Sequence, residues 1–88
     1  MNYNELSEEE QLDLVNLVSY AIAQIENPSE AVQLAAVRTN GYAIRWIKNP
    51  SEAVQLAAIQ NKPDAIISIK HPSDELRAYA NLIKLGKS

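Results

Sequence analysis

Residues 27–48, NPSEAVQLAAVRTNGYAIRWIK, and residues 49–70, NPSEAVQLAAIQNKPDAIISIK, are identical at 14 of 22 positions with no gap. A unit this short cannot bury its own apolar face, so successive copies have to stack and share one core. The same frame extends in both directions. Residues 5–26 keep Ser7, Glu8, Gln11, Leu12, Tyr20, Ala21, Ile22 and Ile25 in register. Residues 71–88 keep Pro72, Ser73 and Ala80, with Asp74 in place of Glu, and form an incomplete copy. The expected architecture is all-α: a short-repeat, solenoid-like stack of about six helices. Its units are 5–26, 27–48, 49–70 and 71–88, in a single domain spanning 1–88, with the two outer units modified as caps.

Each unit reads as two short helices. Asn27 and Asn49 are the expected N-caps, Pro28 and Pro50 the first helical residues, and Glu30 and Glu52 the capping-box partners three positions on. The run AVQLAAV is apolar almost all round, so this helix should be covered on most sides. Asn40-Gly41 is expected to end it, with the glycine in the left-handed conformation of a C-cap. The second helix, YAIRWIK, turns Ala43, Ile44 and Ile47 inward. In the next copy Pro63 should end one helix and begin the other. The outer units carry Ser19 and Leu85 at this turn position. Neither breaks a helix, so each outer unit is expected to form one longer helix, roughly 8–25 and 73–85. The ninth position of the unit reads Asp13, Ala35, Ala57, Tyr79. Small residues fall where helices must approach, and polar or bulky ones at the ends.

Composition narrows the function classes. Eighty-eight residues make one domain with a small core. The apolar residues are mainly Ala, Leu, Ile and Val, with no Phe, which favours close helix packing. The chain has no cysteine, which removes disulfides and thiolate metal sites. The acidic start lacks the apolar run of a signal peptide, and no stretch is apolar enough to cross a bilayer. A soluble cytoplasmic protein is the expectation. The net charge of −3 is unevenly spread. Residues 1–30 hold Glu5, Glu8, Glu9, Glu10, Asp13, Glu26 and Glu30 and no Lys or Arg, whereas all eight Lys and Arg fall in 31–88. Such an imbalance either solubilises the surface, the reading preferred here, or prepares one end for an acidic partner or for head-to-tail self-association.

Nothing in the chain reads as an active site. His71 is the one histidine, occupies the slot of Asn27 and Asn49, and has no second ligand at a metal-binding spacing. A capping role accounts for it. Glu8, Glu9 and Glu10 suit the first turn of a helix, where negative charge complements the macrodipole. Ser29, Ser51 and Ser73 recur with the unit and lack a base to activate them. Gly41 and Gly86 stand alone, so no phosphate-cradling loop is present. No enzyme activity, metal or cofactor is expected. Gln11, Gln33 and Gln55, with Arg77 in the fourth copy, form a polar row. It either reads an extended ligand or, the preferred alternative, satisfies carbonyls of neighbouring turns.

The wording NPSEAVQLAAV…NGYAI…IKNPSEAVQLAAI resembles short NPSE-type helical repeats of bacterial and bacteriophage proteins. The resemblance is strong over residues 27–70 and weak over the flanks. It implies an all-helical fold and a phage or mobile-element origin, and assigns no catalytic or binding residue. By analogy, a small protein of that origin could act as an inhibitor that occludes a host factor, such as a bacterial defence complex.

In a stack of repeats, the shared positions hold the scaffold and the variable ones are free for recognition. The second helix varies most at two adjacent slots, Ala23/Arg45/Ile67 and Gln24/Trp46/Ser68. Trp, Tyr and Arg are the residue types that carry interface energy. The expected protein-binding residues are therefore Tyr42, Arg45, Trp46, Ile67 and Ser68, with another protein or a second copy of the chain as partner. For Trp46, packing against the next helix is an equal alternative. The competing function is a nucleotide- or nucleic-acid-binding module that uses Arg38, Arg45, Lys48, Lys62 and Trp46, with Lys70 and Tyr42 nearby.

Overall fold

A computed structural model describes residues 2–86. Met1, Lys87 and Ser88, and with them the end of the 71–88 unit, lie outside the described residues. Among the described residues the fold is all-helical, with no strand. The α-helices are α1 (Glu8–Leu17), α2 (Glu30–Thr39), α3 (Glu52–Asn61) and α4 (Asp74–Gly86). The return segments are 3₁₀-helices: η1 (Tyr3–Glu5), η2 (Ser19–Gln24), η3 (Gly41–Trp46) and η4 (Pro63–Ser68). The α-helices begin at residues 8, 30, 52 and 74, so the spacing of elements equals the period of the sequence. Neighbouring α-helices pack on each other and η2, η3 and η4 form a second layer against them. Four helices at the usual 8–10 Å separation account for the molecule's 42 Å long axis.

The return segments are 3₁₀ rather than α because their inward positions recur every third residue. Gly41, Ile44 and Ile47 are buried, as are Ser19, Ile22 and Ile25. A helix of 3.0 residues per turn puts such a row on one face. Tyr42 and Arg45, also three apart, then lie together on the outside. The core runs through both layers and is lined by Val15, Val32, Val37, Val54 and Ile59 from the α-helices and by Ile22 and Ile44 from the 3₁₀ layer, each at most 2% exposed. Ala36, Ala58 and Ala80, all buried, keep adjacent helices close.

The helix starts lie two residues later than the sequence suggests. Ser29 and Ser51, and not Asn27 and Asn49, are the N-caps: their hydroxyls accept the N–H of Val32 and Val54. Pro28 and Pro50 precede the cap, and Glu30 and Glu52 are the first helical residues. Asn27 and Asn49 instead turn the chain, with φ of 50° and 49°, a conformation that Asn tolerates better than other side chains. Ser73 likewise accepts the N–H of Leu76, so the capping role expected of His71 belongs to Ser73. Ser7 and Glu10 form a full capping box.

The displaced Glu residues join the units. Glu8 accepts a 2.7 Å hydrogen bond from the Ser29 hydroxyl, and Glu30 accepts one of the same length from Ser51. Ser51→Ala would remove a cap and a link between units together. It is expected to cost about 1–2 kcal/mol, read as a lower thermal midpoint. A midpoint unchanged within error would mean that neither bond contributes.

The outer units differ from expectation at one end only. α4 continues unbroken to Gly86, as Leu85 at the turn position suggested. The first unit breaks at Val18, whose φ of −136° and ψ of 89° separate α1 from η2. No local breaker requires this. Ser19, Ile22 and Ile25 are all buried, a three-residue spacing that a 3₁₀ segment turns to one face and a continued α-helix would splay, so tertiary packing decides. Gly41 also differs: its φ is not positive. It is glycine because a Cβ there would overlap the carbonyl oxygen of Ala58 and press within 3.1 Å of the backbone N and Cβ of Lys62. Its N–H donates to Asn61 Oδ1 at 2.7 Å, and Asn61 Nδ2 donates to the carbonyl of Arg38. Asn61 therefore fastens the α2–η3 turn to α3.

Candidate functional site

Each unit ends its 3₁₀ segment in an extended residue: Ile25, Ile47 and Ile69 have φ near −100° and ψ near 122°. A short linker then leads to the next cap. These linkers form one edge of the molecule, and two surface grooves separate them. The larger, 780 Å³, lies between the linkers that follow η3 and η4. Arg45, Trp46, Lys48, Ser68, Lys70 and His71 are among its lining residues, and no carboxylate is. The nearest acids in sequence, Glu52 and Asp74, begin α3 and α4. The smaller groove, 520 Å³, lies between the linkers after η2 and η3, and is lined by Asn4, Glu26, Trp46 and Lys48 among others. Trp46 and Lys48 belong to both grooves.

The glutamine row belongs to the scaffold. Gln33 and Gln55 donate to the carbonyls of Pro28 and Pro50 at 2.9 and 3.0 Å, and Gln11 donates to those of Tyr3 and Leu6. These side chains brace the linkers from inside and are committed to them.

Trp46 is 40% exposed, which settles its two alternatives partway: one part packs, the other faces solvent. Its ring meets that of Tyr20 edge-on, with centroids 6.4 Å apart at 65°. The Arg45 guanidinium lies over the same ring, 5.7 Å from its centroid. An edge-to-face pair and a cation over a ring each add a modest stabilisation beyond burial. Together they hold the indole in place while leaving part of it open.

Of the sequence-predicted residues, the structure gathers Arg45, Trp46 and Ser68 at the larger groove. Tyr42 and Ile67 lie outside its lining, on the outer faces of η3 and η4, and are 41% and 86% exposed. The alternative basic set is divided. Arg45 and Lys48 reach the groove, while Arg38 near the C-terminal end of α2 and Lys62 just beyond α3 stand about one helix length, ~15 Å, from it. The sequence reading missed Tyr20, 64% exposed, as a support for Trp46. It holds the repeat position of Tyr42, which was the available signal. The role of Lys70 and His71 as groove lining was legible in the same way, from Lys48 and Asn49 one unit earlier.

No protein-family model, curated protein or solved structure matches the chain. No described helix is long and apolar enough to cross a membrane. Among the described residues, no group of three or more His, Asp or Glu could hold a metal ion.

Proposed function

We propose that this is a non-enzymatic protein-binding module built on stacked 22-residue units, and that it binds through the edge and outer face formed by its 3₁₀ segments. One observation carries this reading: Trp46 is half-exposed yet held by contacts to both Tyr20 and Arg45. A pre-positioned aromatic anchor loses little freedom on binding, which is what makes such residues dominate interfaces. Tyr42 and Ile67 add exposed apolar surface on the same 3₁₀ layer, and the cations of the groove supply a polar rim. Such a face acts by covering a partner's surface. Inhibition of a host factor by occlusion is the form this would take in a phage or mobile element.

Trp46→Ala is expected to weaken partner binding by about 2 kcal/mol, roughly thirtyfold, at low and high salt alike. The far-UV circular dichroism should be unchanged, because the ring lies outside the core. The check is a titration of wild type and variant against a partner recovered with the wild type. Equal affinities would remove Trp46 from the interface. The carboxylate-free groove also favours a second occupant, a nucleotide or single-stranded nucleic acid stacked on Trp46. Binding of that kind falls steeply with added salt, which separates the two.

A further inference from the structure

We infer that the linker edge is self-complementary and that its partner is a second copy of the chain, bound antiparallel about a two-fold axis near Trp46. This deepens the binding reading above and rests on it. η1 and the three linkers present, at one repeat position, Asn4, Glu26, Lys48 and Lys70, and at the next, Glu5, Asn27, Asn49 and His71. The edge is therefore acidic at η1 and the first linker and basic at the last two linkers, where Arg45 adds to Lys48 and Lys70. All of these side chains except Asn4 and Glu26 are without an ion pair or side-chain hydrogen bond among the described residues.

Within the chain one link shows how such linkers join. Asn4 Oδ1 accepts the backbone N–H of Glu26 at 2.6 Å, and Asn4 Nδ2 donates to Glu26 Oε1 at 3.5 Å. The corresponding backbone N–H groups of Lys48 and Lys70 make no such bond, since the preceding linkers offer Glu26 and Lys48 and neither reaches across. The basic half of the edge thus keeps open both its cations and its amide donors, and the acidic half holds carboxylates.

Turning a second copy by half a revolution brings Glu26 opposite Lys48 and Glu5 opposite Lys70, twice over. The pairing is isologous and closes as a dimer, with no free end to propagate. Trp46, shared by both grooves, falls close to the axis and gives the polar edge an aromatic centre.

Sedimentation equilibrium of the full chain tests this. At about 50 mM salt the wild type should show the mass of a dimer, and at about 0.5 M salt its dissociation constant should rise at least about tenfold, as screening shortens the reach of the charges. The double variants Lys48→Glu/Lys70→Glu and Glu5→Lys/Glu26→Lys should each be monomeric alone. Mixed in equal amounts they should form a heterodimer, because one edge then carries four carboxylates against Arg45 alone and the other is wholly basic. The substitutions are on exposed side chains, and circular dichroism of each verifies the fold. A wild type that stays monomeric at the highest soluble concentration overturns the inference, as does a mixture that stays monomeric. Neither result touches the broader binding reading, which stands or falls on the Trp46→Ala titration against a different protein.

Discussion

Gly41→Ala should lower the stability of the chain by about 3 kcal/mol, the upper end of what overpacking costs. A small domain of this length has only about 4–13 kcal/mol to lose. The cost arises because the added Cβ meets backbone, which cannot swing aside. It would overlap the carbonyl oxygen of Ala58, and that oxygen already accepts the Lys62 N–H at 2.8 Å to close α3. Relief requires η3 to move away from α3. The movement would stretch the 2.7 Å bond from the Gly41 N–H to Asn61 and open the junction between the two central units. Gly86→Ala is the control. No atom lies within 4 Å of its added Cβ, and alanine in a helix is favoured over glycine by up to about 1 kcal/mol. Urea midpoints should therefore move in opposite directions for the same chemical change. An unshifted midpoint for Gly41→Ala would mean that η3 does not sit against α3 as described.

Gly41 also shows where the sequence was informative and where it was not. The position of the turn was legible, because Asn40-Gly41 interrupts an apolar run. The reason for the glycine was not, because steric contact with a residue 17 positions away leaves no local trace. The same division holds at the helix starts. The Asn-Pro-Ser-Glu motif contains two good caps, Asn and Ser, and the proline after Asn favoured the first. The decisive clue lay in the first unit. There Ser7 is followed three residues later by Glu10, and the shared register carries the cap to Ser29, Ser51 and Ser73. That leaves the asparagines free to take the left-handed conformation.

The break at Val18 had no local signal. The residues on either side of it have ordinary helical preferences, and only the second layer of the fold requires the reversal. At the candidate site, the variable slots pointed to Arg45, Trp46 and Ser68, which the groove gathers. They could not place the linkers side by side. The shared repeat position relates Lys48 to Lys70, and the fold adds that one groove is lined by both. Periodicity reports which residues share a position along the stack, and it is silent on which edge of the stack that position occupies.

Burial along the 3₁₀ layer gives the second large effect. Ile44→Ala is expected to cost about 3 kcal/mol, within the range for truncating a buried isoleucine to alanine, while Ile67→Ala should stay within about 0.5 kcal/mol of wild type. Both are isoleucines in corresponding return segments, one unit apart. Ile44 lies in the η3 row that faces both α2 and α3 and is 2% exposed, whereas Ile67 is 86% exposed on the outer face of η4. Removing the side chain of Ile44 leaves a cavity walled by helices on two sides. α2 and α3 cannot close in on it without losing their own contacts, so the lost transfer energy and the cavity add. With roughly 4–8 °C of melting temperature per kcal/mol in a domain of this size, the first variant should melt about 12–24 °C lower and the second nearly unchanged. The pair also separates stability from recognition. Ile67→Ala should leave the fold intact and, if the outer face of the 3₁₀ layer contacts a partner, weaken binding alone. A large stability loss at Ile67 would mean that η4 packs with its other face inward. The register of the whole second layer would then be wrong by one position.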